Sequence, residues 1–166
     1  MAREEKELSP FARVRVAKDA PAPLRLLSPE GSPSFVLNGL HCACLESFLQ
    51  GLKFRDRARQ AEIFALPAQE AAAAAAAETD WKQTGMLYLQ GEEYDRFSED
   101  YVSLQRRVYE TLLCDGDFRA ALRQTGKARL ACPERSKSDL TTTFTARELC
   151  ARLSECRKKL HREDTF

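Results

Sequence analysis

Residues 44–54 read Cys44-Leu45-Glu46-Ser47-Phe48-Leu49-Gln50-Gly51-Leu52-Lys53-Phe54. In helical geometry Leu45, Phe48, Leu49 and Leu52 fall at i, i+3, i+4 and i+7, one apolar stripe that faces a core. At about 100° per residue, Glu46, Gln50 and Lys53 then project within about 60° of arc, beside the stripe. A carboxylate, an amide and an amine thus share one flank. Glu46 and Lys53 are separated by about 10 Å along the axis, better placed to converge on something held between them than to pair directly. An ordinary amphipathic helix with a solvated polar border has the same spacing, so the stretch fixes packing before it fixes chemistry.

Around this stretch, the 166 residues suffice for one domain with its own core. With 26 basic against 25 acidic residues the formal net charge is +1, which gives no chain-wide footprint for nucleic acid or an anionic membrane and leaves only a local basic groove open. The N-terminal residues carry no apolar signal core, and no later run approaches about 18 apolar residues, so a cytoplasmic protein with no membrane span and free thiols is expected. Cys42 and Cys44 form a lone Cys-x-Cys, with His41 and His161 far apart in sequence; no metal site and no organic cofactor are expected. Small buried thiols on helices account equally well for Cys114, Cys150 and Cys156.

Upstream, residues 1–10 are highly charged and read as a flexible leader, residues 11–160 as a single domain, and residues 161–166 as a C-terminal tail. The alternation over 11–17 predicts a half-buried strand. Pro21, Pro23, Pro29 and Pro33, with Gly31, hold 20–34 mostly in loop, and Phe35-Val36-Leu37 before Asn38-Gly39 predicts a short strand whose tight turn delivers the chain into the helix.

Downstream, 58–66 continue with helical spacing until Pro67, and the alanines at 71–77 predict a further helix over 69–78 with a weakly anchored face. Trp81 is large enough to be either a core plug or a stacking platform for a base. Met86 to Tyr94, with Gln90-Gly91 at the turn, predicts a hairpin. Ser98 caps what is expected to be the longest helix, with Tyr101, Leu104, Gln105, Val108 and Leu112 inward and Gly116 at its end. Asp117 is expected to cap a shorter helix over 118–124. Residues 127–143 predict a polar surface loop over a pocket, and Thr145 to Glu148 forms a capping box that opens a last helix. The sum is a helix-dominated α+β domain with two or three short strands.

Glu46-Ser47-Phe48-Leu49-Gln50-Gly51-Leu52-Lys53-Phe54 resembles the signature of the NADAR (YbiA-like) family, in which a helix carries Glu, then Gln four residues on, then Lys-Phe. Phe35 to Gly39 resembles the strand that feeds this helix, and Phe118 to Gly126, followed by Leu130, resembles the family's helix that ends in Thr-Gly. The resemblance spans roughly residues 24–155 and implies a YbiA-like single-domain fold. It departs from the family at Leu24-Arg25-Leu26-Leu27-Ser28, which lacks the asparagine of a Phe-Ser-Asn-Phe segment. It departs again after Gly126, where Asp139 in a Gly-free, Trp-free loop is the counterpart of an Asp followed by Trp-Gly-x-Gly.

The resemblance implies N-glycosidase activity on a ribosylated or ADP-ribosylated nucleobase, free or in nucleic acid. Glu46 is then the acid/base or sugar-orienting group and Lys53 the amine that attacks the anomeric carbon, with Gln50, Trp81 and Asp139 as substrate-binding residues. A carboxylate and a proton donor on either side of the bond suit C–N cleavage, in which positive charge builds on the sugar and negative charge on the base. The amine must be partly neutral, so burial or a neighbouring cation such as Arg57 has to offset the influence of Glu46. Two other classes share the sequence: a silent module that binds a nucleotide or ADP-ribose, and a helical interaction protein with no pocket.

Overall fold

A computed structural model describes Leu8 and residues 12–165. The stretch 44–54 folds as helix α1 (Leu45–Gly51), with Leu52 still in helical conformation as its C-cap. Leu45, Phe48, Leu49 and Leu52 are all 3% exposed or less, so the apolar stripe is the inward face. A hairpin, β2 (Phe35–Leu37) against β3 (Leu40–Cys42), leads into it. Asn38 and Gly39 both have positive φ, 51° and 78°, the combination a two-residue turn of primed type requires. The sequence reading ran this turn straight into the helix. Three residues of Leu-His-Cys are too short to show a period of two, and pairing with β2 makes them a strand.

Helices α2 (Arg57–Ala65) and α3 (Ala68–Ala75) pack on α1. Gly51 lets them approach: a Cβ there would lie 2.2 Å from the Phe64 ring, which is fully buried and stacks on Phe48 with ring centroids 5.3 Å apart. Gly51→Ala is therefore expected to overpack this contact and cost about 1–3 kcal/mol, read as a lower urea midpoint at unchanged slope. An unchanged midpoint would mean that the ring has room to yield. The alanine run is anchored better than its composition suggests, since Ala71 and Ala75 are buried against Phe54 and Ile63.

The chain continues through α4 (Asp80–Thr84) and the hairpin β4 (Met86–Leu89) with β5 (Glu92–Asp95), as expected for 86–94. Helix α5 (Glu99–Leu112) starts at Ser98, whose hydroxyl accepts from the Tyr101 amide. It is not the longest helix; α7 (Ala146–Asp164) is, opened by the Thr145/Glu148 capping box. Gly116 begins α6 (Gly116–Gln124) rather than closing α5, and the cap is Asp115, which accepts from the Phe118 amide, not Asp117. Asp at both positions made the two registers look alike in sequence.

Two further corrections concern the chain ends. Within 127–143, β6 (Arg129–Ala131) pairs in parallel with β1 (Arg13–Arg15), in register Val14 with Leu130. Nothing local marks β6; its partner is at the far end of the chain. The described residues thus hold six short strands in three pairs rather than two or three. Residues 161–164 are not tail, because α7 runs through them: Leu160 is buried, and Arg119–Glu163 and Arg123–Asp164 ion pairs tie the last turn to α6. The leader reading of 1–10 lies outside the described residues except Leu8, whose carbonyl accepts from the Lys127 amide. One large core gathers α1, α5, α6 and α7 around Phe48, Leu104, Leu122 and Leu153. Among the described residues no helix is long and apolar enough to cross a membrane.

Candidate active site

Helix α1 carries Glu46 buried on its polar flank, with Gln50 one turn on and Lys53 just past the C-cap. The three side chains form a relay. Lys53 Nζ donates to Gln50 Oε1 at 2.7 Å, and Gln50 Nε2 donates to Glu46 Oε1 at 2.8 Å. The acid and the amine do not pair directly; the amide spans the gap that the helical rise creates. The other carboxylate oxygen of Glu46 accepts from Arg135 Nη1 at 3.0 Å. Arg135 is in turn fixed by donating Nε to the Phe144 carbonyl at 2.6 Å.

Lys53 is braced through its backbone. Gln60, buried on α2, donates to the carbonyls of Gly51 and Phe54, and the Leu52 carbonyl accepts from the Tyr88 amide of β4 at 2.8 Å. The Lys53 pKa is lowered from the ordinary lysine value. Burial is the main cause, and the positive charges of Lys82 and Arg135 add to it against the opposing pull of Glu46. The cations that matter are these two, not Arg57, which is exposed and near Gly91. The Lys53 and Lys82 ammonium groups sit 5.8 and 5.9 Å from the Trp81 ring centroid.

Two hollows lie nearby; of the relay only Glu46 lines the first, and neither is lined by Gln50 or Lys53. One, about 280 Å³, is lined by Ser28, Glu30, Glu46, Arg135 and Thr142. The other, about 190 Å³, is lined by Trp81, Lys82, Arg96, Phe97 and Asp139. The hydrogen bonds and the Lys53–Trp81 approach bring Glu46, Gln50, Lys53 and Trp81 together, while Asp139 meets Trp81 at the second hollow and not the relay. Of the two roles open to Trp81, the structure favours the core: the residue is 3% exposed, so neither ring face is free to stack on a base, although its Nε1 is buried without a hydrogen-bond partner among the described residues. Asp139 is exposed on the loop.

That loop is pinned from beneath. Arg96, 4% exposed, donates to the Thr142 carbonyl at 3.1 and 3.2 Å and to both Glu148 oxygens, and Tyr101 donates its hydroxyl to the Thr143 carbonyl. Glu148 also accepts from Gln105 and from the Thr145 amide. Burial alone would raise its pKa, but the hydrogen bonds from Arg96, Thr145 and Gln105 outweigh this and hold it below the usual carboxylate value.

A family model described as bacteriophage protein GP30.3 matches residues 24–158, most of the chain and every residue of the relay and the loop. The chain belongs to the GP30.3 family. No curated protein matches it in sequence. In structure, this GP30.3-family chain is similar to the NMR structure of the E. coli protein YbiA, with a TM-score of 0.66 and 15% identity over 99% of this chain and 94% of that one. The YbiA-like fold implied by the sequence resemblance is thus the fold of this GP30.3-family chain.

Sequence reasoning missed three residues around the candidate site. Arg135, Arg96 and Lys82 reach it from outside the motif that drew attention. Arg135 touches Glu46 across 89 positions, from an irregular stretch with no periodicity to mark it. Among the described residues no group of three or more His, Cys, Asp or Glu side chains gathers as a metal site.

Proposed function

We propose that this protein is an N-glycosidase-like hydrolase that cleaves the C–N bond between ribose and a nucleobase, the base being ribosylated or ADP-ribosylated. The observation that carries this reading is the relay: an amine with a lowered pKa, connected through one amide to a buried carboxylate beside an open hollow. The YbiA-like fold and the Glu, Gln and Lys-Phe spacing support it.

In the proposed reaction neutral Lys53 attacks the anomeric carbon. The C–N bond breaks, its electron pair leaves with the base, and Glu46 serves as the acid/base that takes up the proton shed by the attacking amine and returns it to the leaving nitrogen. Loss of a second proton from the amine, with opening of the sugar ring, gives an imine. Water then adds to the imine carbon, and collapse of that adduct releases the sugar aldehyde and restores the amine. Arg135 holds Glu46 in place and, with Lys82, gives the site a positive rim suited to a phosphorylated sugar.

The test is reductive trapping. Borohydride added to the protein with ADP-ribosylated guanosine or a ribosylamino-pyrimidine is expected to leave a sugar adduct on the Lys53 peptide by mass spectrometry. Binding without an adduct would replace the enzyme reading with a silent nucleotide-binding module. The adduct is also expected to depend on pH. Because the folded pKa of Lys53 lies below the ordinary 10.5, the neutral amine and the trapping rate should rise with pH and level off before that value is reached.

A further inference from the structure

Cys132, just after β6, and Cys150, in the second turn of α7, hold their sulfurs 3.0 Å apart. Neither is bridged. A disulfide needs a separation of about 2.05 Å, so a closure of about 1 Å joins them. The two differ in access: Cys132 is buried, and Cys150 is half-exposed. They also differ in reactivity. The hydrogen bond shared between the two thiols, together with the nearby charge of Arg157, holds the Cys150 thiol below its usual pKa in spite of burial, whereas burial pushes Cys42 and Cys156 up to about 12. Cys150 is thus the nucleophile of the pair and Cys132 the thiol behind it.

Their position gives the pair a consequence. Residues 133–149, between the two cysteines, are the loop and the first turn of α7; they include Arg135, which bonds Glu46 of the relay, and Asp139 and Thr142, which line the two hollows. The Arg135 amide donates to the Cys132 carbonyl, so the cation that holds Glu46 hangs from the same residue.

We propose that Cys132 and Cys150 are a redox pair, which a peroxide converts to an intramolecular disulfide that clamps both feet of the loop over the site. The Cys150 thiolate attacks one peroxide oxygen, the O–O bond breaks and hydroxide leaves, giving a sulfenic acid. The Cys132 sulfur, its proton lost to solvent, attacks the Cys150 sulfur, and the S–O bond breaks with departure of water. Two thiols are oxidised by two electrons and the peroxide is reduced to two waters. A dithiol reductant reverses the change. The pair stands on geometry alone and does not depend on the glycosidase reading.

The test uses the full chain with Cys114→Ser, since Cys114 is exposed and invites intermolecular bridging. Hydrogen peroxide is expected to yield a crosslinked Cys132–Cys150 peptide lighter by two hydrogens, with two fewer alkylatable thiols than the reduced protein. Amide exchange within 133–149 should slow about tenfold and recover with dithiothreitol. In Cys132→Ser, dimedone should label Cys150 as the unresolved sulfenic acid. Oxidation at other cysteines without the 132–150 crosslink overturns the pair, and a crosslink that leaves exchange in 133–149 unchanged overturns the clamp. The peptide map of the chain with Cys132 and Cys150 intact decides the first point even if a serine variant fails to fold.

Discussion

Arg96→Met is expected to lower the free energy of unfolding by about 3–5 kcal/mol, the cost of leaving one partner of a buried ion pair without the other. Arg96 is 4% exposed, lies 5.2 Å from the Tyr101 ring centroid, and donates to the Thr142 carbonyl as well as to Glu148. Its loss leaves the loop with only Tyr101 to anchor it from beneath and leaves Glu148 with only the Gln105 amide and the Thr145 backbone. The Glu148 side chain is 21% exposed and water partly compensates it, which places the effect near the lower end of the range. Urea unfolding measures the loss; a value under about 1 kcal/mol would show that the network is not structural. The comparison also has a pH signature. Arg96 helps hold Glu148 below the usual carboxylate value of 4.5, so its contribution is present above that pH and is lost as pH falls through the lower folded pKa. The gap between wild type and variant should therefore narrow in acid.

Lys53→Ala is expected to reduce turnover of a ribosylated nucleobase by about 10²–10⁴-fold and to abolish the borohydride adduct, while leaving the fold intact. The side chain ends in a hydrogen bond to Gln50 and beside the Trp81 ring, and it is partly exposed, so little stability depends on it. Lys53→Arg provides the discriminating control. A guanidinium keeps the charge and the bond to Gln50 but cannot form the imine. If the arginine variant retains turnover, Lys53 acts through charge and the covalent scheme fails; if the arginine variant is as inactive as the alanine one, the amine itself is required. Binding of the nucleotide should survive both changes, because Arg135 and Lys82 remain to contact phosphate.

The shared flank was legible because it is local, whereas the hydrogen bonds by which Gln50 itself fills the gap between acid and amine were not. Glu46, Gln50 and Lys53 follow from the period of one helix, and the buried stripe beside them fixes which way they point. The Ser98 cap, the capping box before α7 and the 86–94 hairpin carry the same kind of short-range signal. What stayed hidden is held by partners far away in sequence. β6 becomes a strand only through β1, and Arg135 becomes part of the site only through Glu46. The ambiguity at Trp81 was of another sort, since size and polarity admit both a core and a surface role and only the packing around it decides.

The pairing of β1 with β6 bears on how the molecule comes into being. A ribosome delivers the relay helix well before it delivers residues 129–135, so a nascent chain displays the Glu46 carboxylate for much of its synthesis without the guanidinium that will neutralise it. The ladder that joins Arg13–Arg15 to Arg129–Ala131 closes a long loop and comes late for that reason. Assembly of the charged centre therefore waits on the segment after Leu130, and a product terminated before residue 135 carries the recognisable helix without the guanidinium it is paired with.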